Sequence, residues 1–95
     1  MEFVPGRYRG EHWSPDACFI HGDTIVLIEP ALKRRIDGYD HYGLAEVPKE
    51  TWRLILGDLR AMRAEEPALA KLVQDLEAWI DWTLKQHDII SILGI

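Results

Sequence analysis

The distribution of apolar residues along the chain changes character near residue 48. Before that point the apolar residues form short runs separated by turn residues; after it they recur every three or four positions, until a last continuous run. Short runs rich in β-branched residues are typical of strands, whereas spacings of three and four indicate amphipathic helices. The sequence therefore predicts an α+β fold with a small, mainly antiparallel sheet covered by a two-helix antiparallel hairpin.

Two neighbouring runs in the first half, Ala17–His21 and Thr24–Glu29, predict an N-terminal β-hairpin. Gly22-Asp23 separates them and is the kind of short glycine-containing connection that joins antiparallel strands. Pro30 ends the second run, because proline cannot donate to a strand ladder. The short segment Arg7–Arg9 predicts one further strand.

The last run, Ile89–Ile95, predicts the remaining strand. Only Ser91 interrupts its apolar character, apart from Gly94, and a loose tail of this composition would expose a large apolar patch. A run without alternation fits a strand that is central in the sheet or covered on both faces. We therefore expect this strand to be buried.

Two stripes of apolar residues predict the helices, and Glu66-Pro67 separates them. The short break implies that the two helices pack against each other in antiparallel fashion. Trp52 and Trp79 fall on the stripes and are expected in the core. The first stripe consists of Trp52, Ile55, Leu56, Leu59 and Met62, and the second of Leu69, Leu72, Val73, Leu76, Trp79 or Ile80, and Thr83.

Length and charge narrow the class of protein. Ninety-five residues with 47% hydrophobic content fit one domain, residues 1–95. The net charge is −5, and the densest basic cluster is Lys33-Arg34-Arg35, so a nucleic-acid partner is not expected. No secretory signal and no apolar stretch of about 18 residues is seen, which predicts a soluble cytoplasmic protein without a membrane partner. The single cysteine, Cys18, excludes an internal disulfide.

Three histidines, His12, His21 and His41, could form a metal site with nearby carboxylates if their loops converged. Their spacing matches no metal signature, so no metal and no cofactor are expected. No serine, threonine or cysteine lies in a recognisable catalytic motif, so no catalytic residue is assigned. A small metal-binding protein or enzyme that uses these three histidines stays as an alternative.

The segment Asp37–Gly43 is the most suggestive candidate surface. It interleaves two tyrosines and a histidine with two aspartates between glycines, and tyrosine is enriched at recognition surfaces. Alternatively, the tyrosine rings form a lid on the core. Trp13 and Trp82 fall outside the apolar stripes and are further candidates for a contact surface.

Three stretches resemble small bacterial proteins encoded beside polymorphic or contact-dependent toxins. They are Gly38-Tyr39-Asp40-His41-Tyr42-Gly43, the Trp52 helix with Asp58-Leu59, and the ending Ser91-Ile92-Leu93-Gly94-Ile95. The resemblance implies an immunity protein, which is a small acidic antidote that binds and blocks a toxin domain.

If the chain is an immunity protein, we expect some residues to anchor the partner by direct contact and others to attract it by charge. Tyr39, Asp40 and Tyr42 are the expected anchors, together with Trp13 or Trp82, and Asp37 and Glu46 are the expected steering charges for a basic partner. An orphan scaffold that works as a homodimer is the other alternative.

Overall fold

A computed structural model describes residues 1–8, 10 and 15–94 of the chain. Within them, one open antiparallel sheet has the strand order β2-β1-β4-β3. Its strands are β1 (Glu2–Pro5), β2 (Cys18–Phe19), β3 (Leu44–Pro48) and β4 (Ile89–Leu93). Helices α1 (Gly22–Ile25) and α2 (Glu29–Arg35) connect β2 to β3. Helix α3 (Lys49–Glu65), a 3-10 turn (Pro67–Leu69) and helix α4 (Ala70–Leu84) connect β3 to β4. The predicted α+β class is confirmed.

Strand β4 lies between β1 and β3, as its apolar sequence predicts. Residues 90–93 are all buried, which means that both faces of the strand are covered. Ser91 is the polar member of this buried run, and its hydroxyl donates a hydrogen bond of 2.8 Å to the carbonyl of Gly6. The buried hydroxyl therefore keeps a partner, which avoids the cost of an unsatisfied polar group.

Helices α3 and α4 form the predicted antiparallel hairpin and cover one face of the sheet. Trp52 is fully buried, its ring meets Phe3 edge-on at 5.3 Å, and its indole N–H donates to the carbonyl of Ile90. Trp79 is half-buried against the same phenylalanine. Among the described residues, no helix has the length and apolarity that crossing a bilayer would require.

The prediction of a second strand in the N-terminal hairpin is wrong. Residues 24–29 belong to α1, a turn and the start of α2. Ile25 and Ile28 point into the core, whereas Val26 and Leu27 between them are 52% and 48% exposed. This is the spacing of a helical turn, and a short apolar run does not distinguish it from a strand.

Two local features explain why this segment is helical. The His21 side chain accepts a hydrogen bond from the backbone N–H of Asp23 and so caps α1. Pro30 lies in the first turn of α2, where its missing N–H removes no helical hydrogen bond. The first predicted strand survives only as Cys18–Phe19, which pairs with β1.

The partners of β4 also differ from the prediction. Arg7 and Tyr8 lie outside any strand, and Arg9 lies outside the described residues. Instead, Glu2–Pro5 pairs with β4 on one side and Leu44–Pro48 pairs with it on the other. Both segments contain glutamate and proline, which are poor strand formers, so their strand conformation depends on pairing with the apolar β4.

Candidate functional site

The loop from Asp37 to Gly43 joins α2 to the edge strand β3 and has a defined backbone course. Gly38 has a φ of 70°, in the left-handed region that glycine adopts without strain. The Asp40 carboxylate accepts a hydrogen bond of 3.0 Å from the Tyr42 N–H, and the Gly43 N–H donates to the Asp40 carbonyl at 3.0 Å. These local hydrogen bonds fix the turn that precedes β3.

Two side chains of this loop attach it to α2 through Glu29. The Tyr39 hydroxyl donates to Glu29 Oε2 at 2.9 Å, and His41 Nδ1 lies 2.8 Å from the same oxygen. Glu29 itself is only 7% exposed. A buried carboxylate needs such donors, because water does not solvate it. Tyr39 and His41 therefore hold the loop in place.

The surroundings of Glu29 favour its charged form. Burial raises the pKa of this carboxyl, but the hydrogen bonds from His41 and Tyr39 and the charges of His41 and Lys33 together lower it below the usual value. The pKa of Tyr39 is raised, first by burial and then by the bond to Glu29 and its charge. At neutral pH the pair is thus a carboxylate and a protonated phenol, the combination that the hydrogen bond requires.

A second ion pair secures the other end of α2. Arg35 Nε and one terminal nitrogen donate to the two carboxylate oxygens of Asp58 on α3, at 2.7 and 3.0 Å. The hydrogen bond from Arg35 is the main cause that lowers the pKa of Asp58. One member of the basic cluster Lys33-Arg34-Arg35 is therefore engaged within the chain.

The remaining residues of the loop face solvent. Tyr42 is 75% exposed, yet its ring packs edge-on against the His41 ring at a centroid distance of 4.7 Å. Asp37 and Asp40 are also exposed. Of the two predicted tyrosine anchors, Tyr39 has the lid position that the alternative interpretation described, and Tyr42 is free to contact a partner.

Strand β3 continues this exposed surface along the edge of the sheet. Leu44 is 55% exposed and Glu46 is exposed, whereas Val47 between Glu46 and Pro48 is buried. We call the exposed residues of the loop and strand the acidic edge: Asp37, Asp40, Tyr42, Leu44 and Glu46. Sequence reasoning missed Leu44, because the run Leu44-Ala45-Glu46-Val47 does not alternate between apolar and polar residues and so carries no strand signal.

Trp82, a further candidate anchor, lies on a different element from this surface. Trp82 is 50% exposed on α4, and its neighbours Ile80, Thr83 and Leu84 turn inward, so it lies on the outer side of that helix. Trp13 lies outside the described residues. The structure therefore exposes Asp37, Asp40, Tyr42 and Glu46 on one loop and the strand that follows it. It holds Tyr39 inward on Glu29 and leaves Trp82 on a separate element.

Two histidines of the alternative metal site, His21 and His41, have separate carboxylate partners. His21 lies 3.7 Å from Asp23, and His41 is bonded to Glu29. His12 lies outside the described residues. In the described part of the chain, no group of three His, Cys, Asp or Glu side chains is placed to hold a metal ion.

Neither of two candidate nucleophiles is placed for chemistry. The Ser91 side chain is fully buried and bonded to Gly6, and burial raises the pKa of the Cys18 thiol, which keeps it protonated.

No protein-family model, curated protein or solved structure matches this chain. The functional argument therefore depends on the geometry of the acidic edge and on the chemistry of its residues.

Proposed function

We propose that this chain is a non-catalytic protein-binding module of immunity type, which binds a toxin domain and blocks it. The observation that carries the proposal is the acidic edge, where Tyr42 and Leu44 are exposed among three carboxylates. An exposed aromatic and an aliphatic side chain offer the apolar centre of an interface, and the carboxylates offer its polar rim.

The contacts that hold the loop in place behind the acidic edge support this proposal. Glu29 holds Tyr39 and His41, and the ring of His41 supports the ring of Tyr42. A surface that is already held in one conformation loses less conformational entropy on binding than a mobile loop does. The loop can therefore contribute affinity while the body of the protein provides bulk that occludes the partner's site.

The charges of the acidic edge favour a basic partner. An exposed ion pair contributes only about 0–1 kcal/mol, so Asp37, Asp40 and Glu46 act mainly on association rate and on partner choice. A well-packed aromatic anchor contributes more, with truncation costing about 2 kcal/mol or more. Most of the affinity at this surface is thus assigned to Tyr42 and Leu44.

The function is tested by recovering the partner and measuring protection. The tagged chain is expressed in its native cells, and a stoichiometric partner is identified and then expressed alone. We expect the partner to arrest growth, and we expect co-expression of this chain to restore it. A partner that is harmless alone, or that stays toxic while bound, would contradict the immunity function.

Variants at the acidic edge connect that protection to the surface. Tyr42→Ala removes the exposed ring, and Asp40→Asn removes a charge while it keeps the oxygen that accepts from the Tyr42 N–H. Leu44→Ala removes the exposed leucine of the acidic edge, and Leu54→Ala is its matched control, because Leu54 is a leucine on α3 that is 52% exposed against 55% for Leu44. Protection should weaken with Tyr42→Ala and with Leu44→Ala. It should weaken less with Asp40→Asn and persist with Leu54→Ala.

A further inference from the structure

The hydrogen bonds between β3 and β4 determine which backbone groups of β3 face outward. Gly43 accepts from the Gly94 N–H, and the Lys49 N–H donates to the Asp88 carbonyl, each at 2.8 Å. The register pairs Ala45 with Ile92 and Val47 with Ile90. In an antiparallel ladder the bonded positions alternate, so the odd-numbered residues 43–49 bond to β4.

The even-numbered residues of β3 therefore direct their backbone groups away from the sheet. Leu44 and Glu46 each present an N–H and a C=O to the open side, whereas Pro48 has no N–H and, as the N-cap of α3, uses its C=O in the first hydrogen bond of that helix. β3 is the last strand in the order β2-β1-β4-β3, and no strand of the described residues pairs with that side. An unpaired row of this kind is a template for another strand.

We propose that a partner binds by adding an extended, basic segment to this open edge, antiparallel to β3. The inference rests on the proposed function and deepens it, since it states how a protein partner meets the acidic edge. Main-chain hydrogen bonds to Leu44 and Glu46 add to the affinity that the Tyr42 and Leu44 side chains provide, and side chains at alternate positions of the added segment provide specificity.

Charge complementarity selects the kind of segment. Glu46 lies on the strand, Asp37 and Asp40 lie in the loop before it, and Glu50 lies in the first turn after it. Among positions 37–50 the basic side chains are Lys49 and His41, and His41 is already paired with Glu29. A lysine or arginine opposite Glu46 forms a favourable cross-strand pair, and the surrounding carboxylates favour further cations on the same segment.

The same charges disfavour a second copy of the chain as the occupant. If β3 paired with β3 of a second copy in the antiparallel register centred on Glu46, the two Glu46 side chains would lie directly opposite each other. Like charges at that position are destabilising. That register also aligns Leu44 with Pro48, which has no N–H to donate. The edge is thus better suited to a basic segment of another protein.

Amide exchange of the full-length, isotope-labelled chain tests the proposal. The probe is a blocked nine-residue peptide of alternating valine and lysine, and the comparison peptide has glutamate in place of lysine. We expect the lysine peptide to slow exchange of the Leu44 and Glu46 amides at least tenfold. The Ala45 and Val47 amides, already bonded to β4, should change little. The glutamate peptide should bind at least tenfold more weakly.

Single-residue variants separate backbone pairing from charge. Leu44→Pro removes one outward N–H without removing a bond to β4, and Leu44→Ala is its control, because it also lacks the leucine side chain but keeps the N–H. Relative to Leu44→Ala, Leu44→Pro should lower the peptide's affinity at least tenfold with an unchanged unfolding midpoint. Ala45→Pro is the contrasting variant, since it removes a bond within the sheet and should lower that midpoint. Glu46→Lys needs no backbone change and should reverse the preference between the two peptides.

Several outcomes would overturn strand addition. The first is the absence of peptide binding at millimolar concentration, and the second is binding that leaves exchange of the Leu44 and Glu46 amides unchanged. The third is a Glu46→Lys variant that prefers the lysine peptide as strongly as the unmodified chain does. If exchange of the Leu44 and Glu46 amides slows without peptide as the protein concentration rises, a second copy is the occupant and the proposal is overturned. If the recovered toxin binds Leu44→Pro as tightly as the unmodified chain, strand addition fails while the protein-binding function stands.

Discussion

Replacing Tyr39 or Tyr42 by phenylalanine removes one hydroxyl from the same loop in two different environments. The Tyr39 hydroxyl donates to the buried Glu29 at 2.9 Å, whereas Tyr42 is 75% exposed. A hydrogen bond to a charged group contributes about 1.5–3 kcal/mol net. His41 still contacts Glu29 in Tyr39→Phe, so the carboxylate keeps one of its two side-chain partners.

We therefore expect Tyr39→Phe to lower the free energy of unfolding by about 1.5–3 kcal/mol. Tyr42→Phe should change it by less than about 0.5 kcal/mol, as is usual at exposed positions. Urea titration gives both values, provided that the slope with denaturant is the same in the two variants. In a thermal scan, each kcal/mol corresponds to about 4–8 °C for a domain of this size.

The pair of variants is its own control, because both remove the same atom from a tyrosine. Equal unfolding midpoints for Tyr39→Phe and Tyr42→Phe would refute the view that Glu29 anchors the loop. A larger loss in Tyr42→Phe would reverse the roles assigned to the two residues.

Three further perturbations test the parts of the fold that support the acidic edge. The folded pKa of Glu29 lies below its unfolded value, so its stabilising effect is present above the unfolded pKa and is lost as pH falls through the folded pKa; Glu29→Gln should flatten this acid dependence of unfolding. A Cβ at Gly94 would overlap the carbonyl of His41, so Gly94→Ala should shift the amide resonances of residues 41–43. Ile92→Ala should cost about 2–5 kcal/mol in urea titration, because Ile92 is buried in the central strand.

The sequence predicted well those elements whose pattern was long or strongly apolar. The apolar stripes that begin at Trp52 and Leu69 span several helical turns, and Ser91 is the one polar side chain in the run that begins at Ile89. Such patterns are determined by burial alone, so helices α3 and α4 and the central strand β4 were recognised.

Short segments were predicted less well, because their conformation depends on tertiary partners. Residues 24–29 are rich in β-branched side chains, but the His21 cap of α1 and Pro30 in the first turn of α2 favour two short helices with a turn between them. Leu44–Pro48 is a strand because β4 offers it a ladder. Pairing between segments about 45 residues apart leaves no signal in local periodicity.

The sequence predicted which segment forms the candidate site, but not which of its side chains face inward and which face solvent. The composition of residues 37–43 indicated a turn with exposed aromatic and acidic groups. That Tyr39 faces inward depends on Glu29, which lies ten positions earlier and is buried only after α2 packs in place. The open edge of β3 likewise follows from the strand order, which the sequence does not specify.

The affinity of the recovered partner for Tyr42→Ala and Trp82→Ala tests the central claim most directly. Both changes remove a large exposed ring, one from the acidic edge and one from the outer side of α4. Calorimetric titration should show a loss of about 2 kcal/mol, some thirtyfold in Kd, for Tyr42→Ala. Trp82→Ala should bind as the unmodified chain does. Unchanged affinity for Tyr42→Ala with a large loss for Trp82→Ala would contradict the account and place the interface on α4.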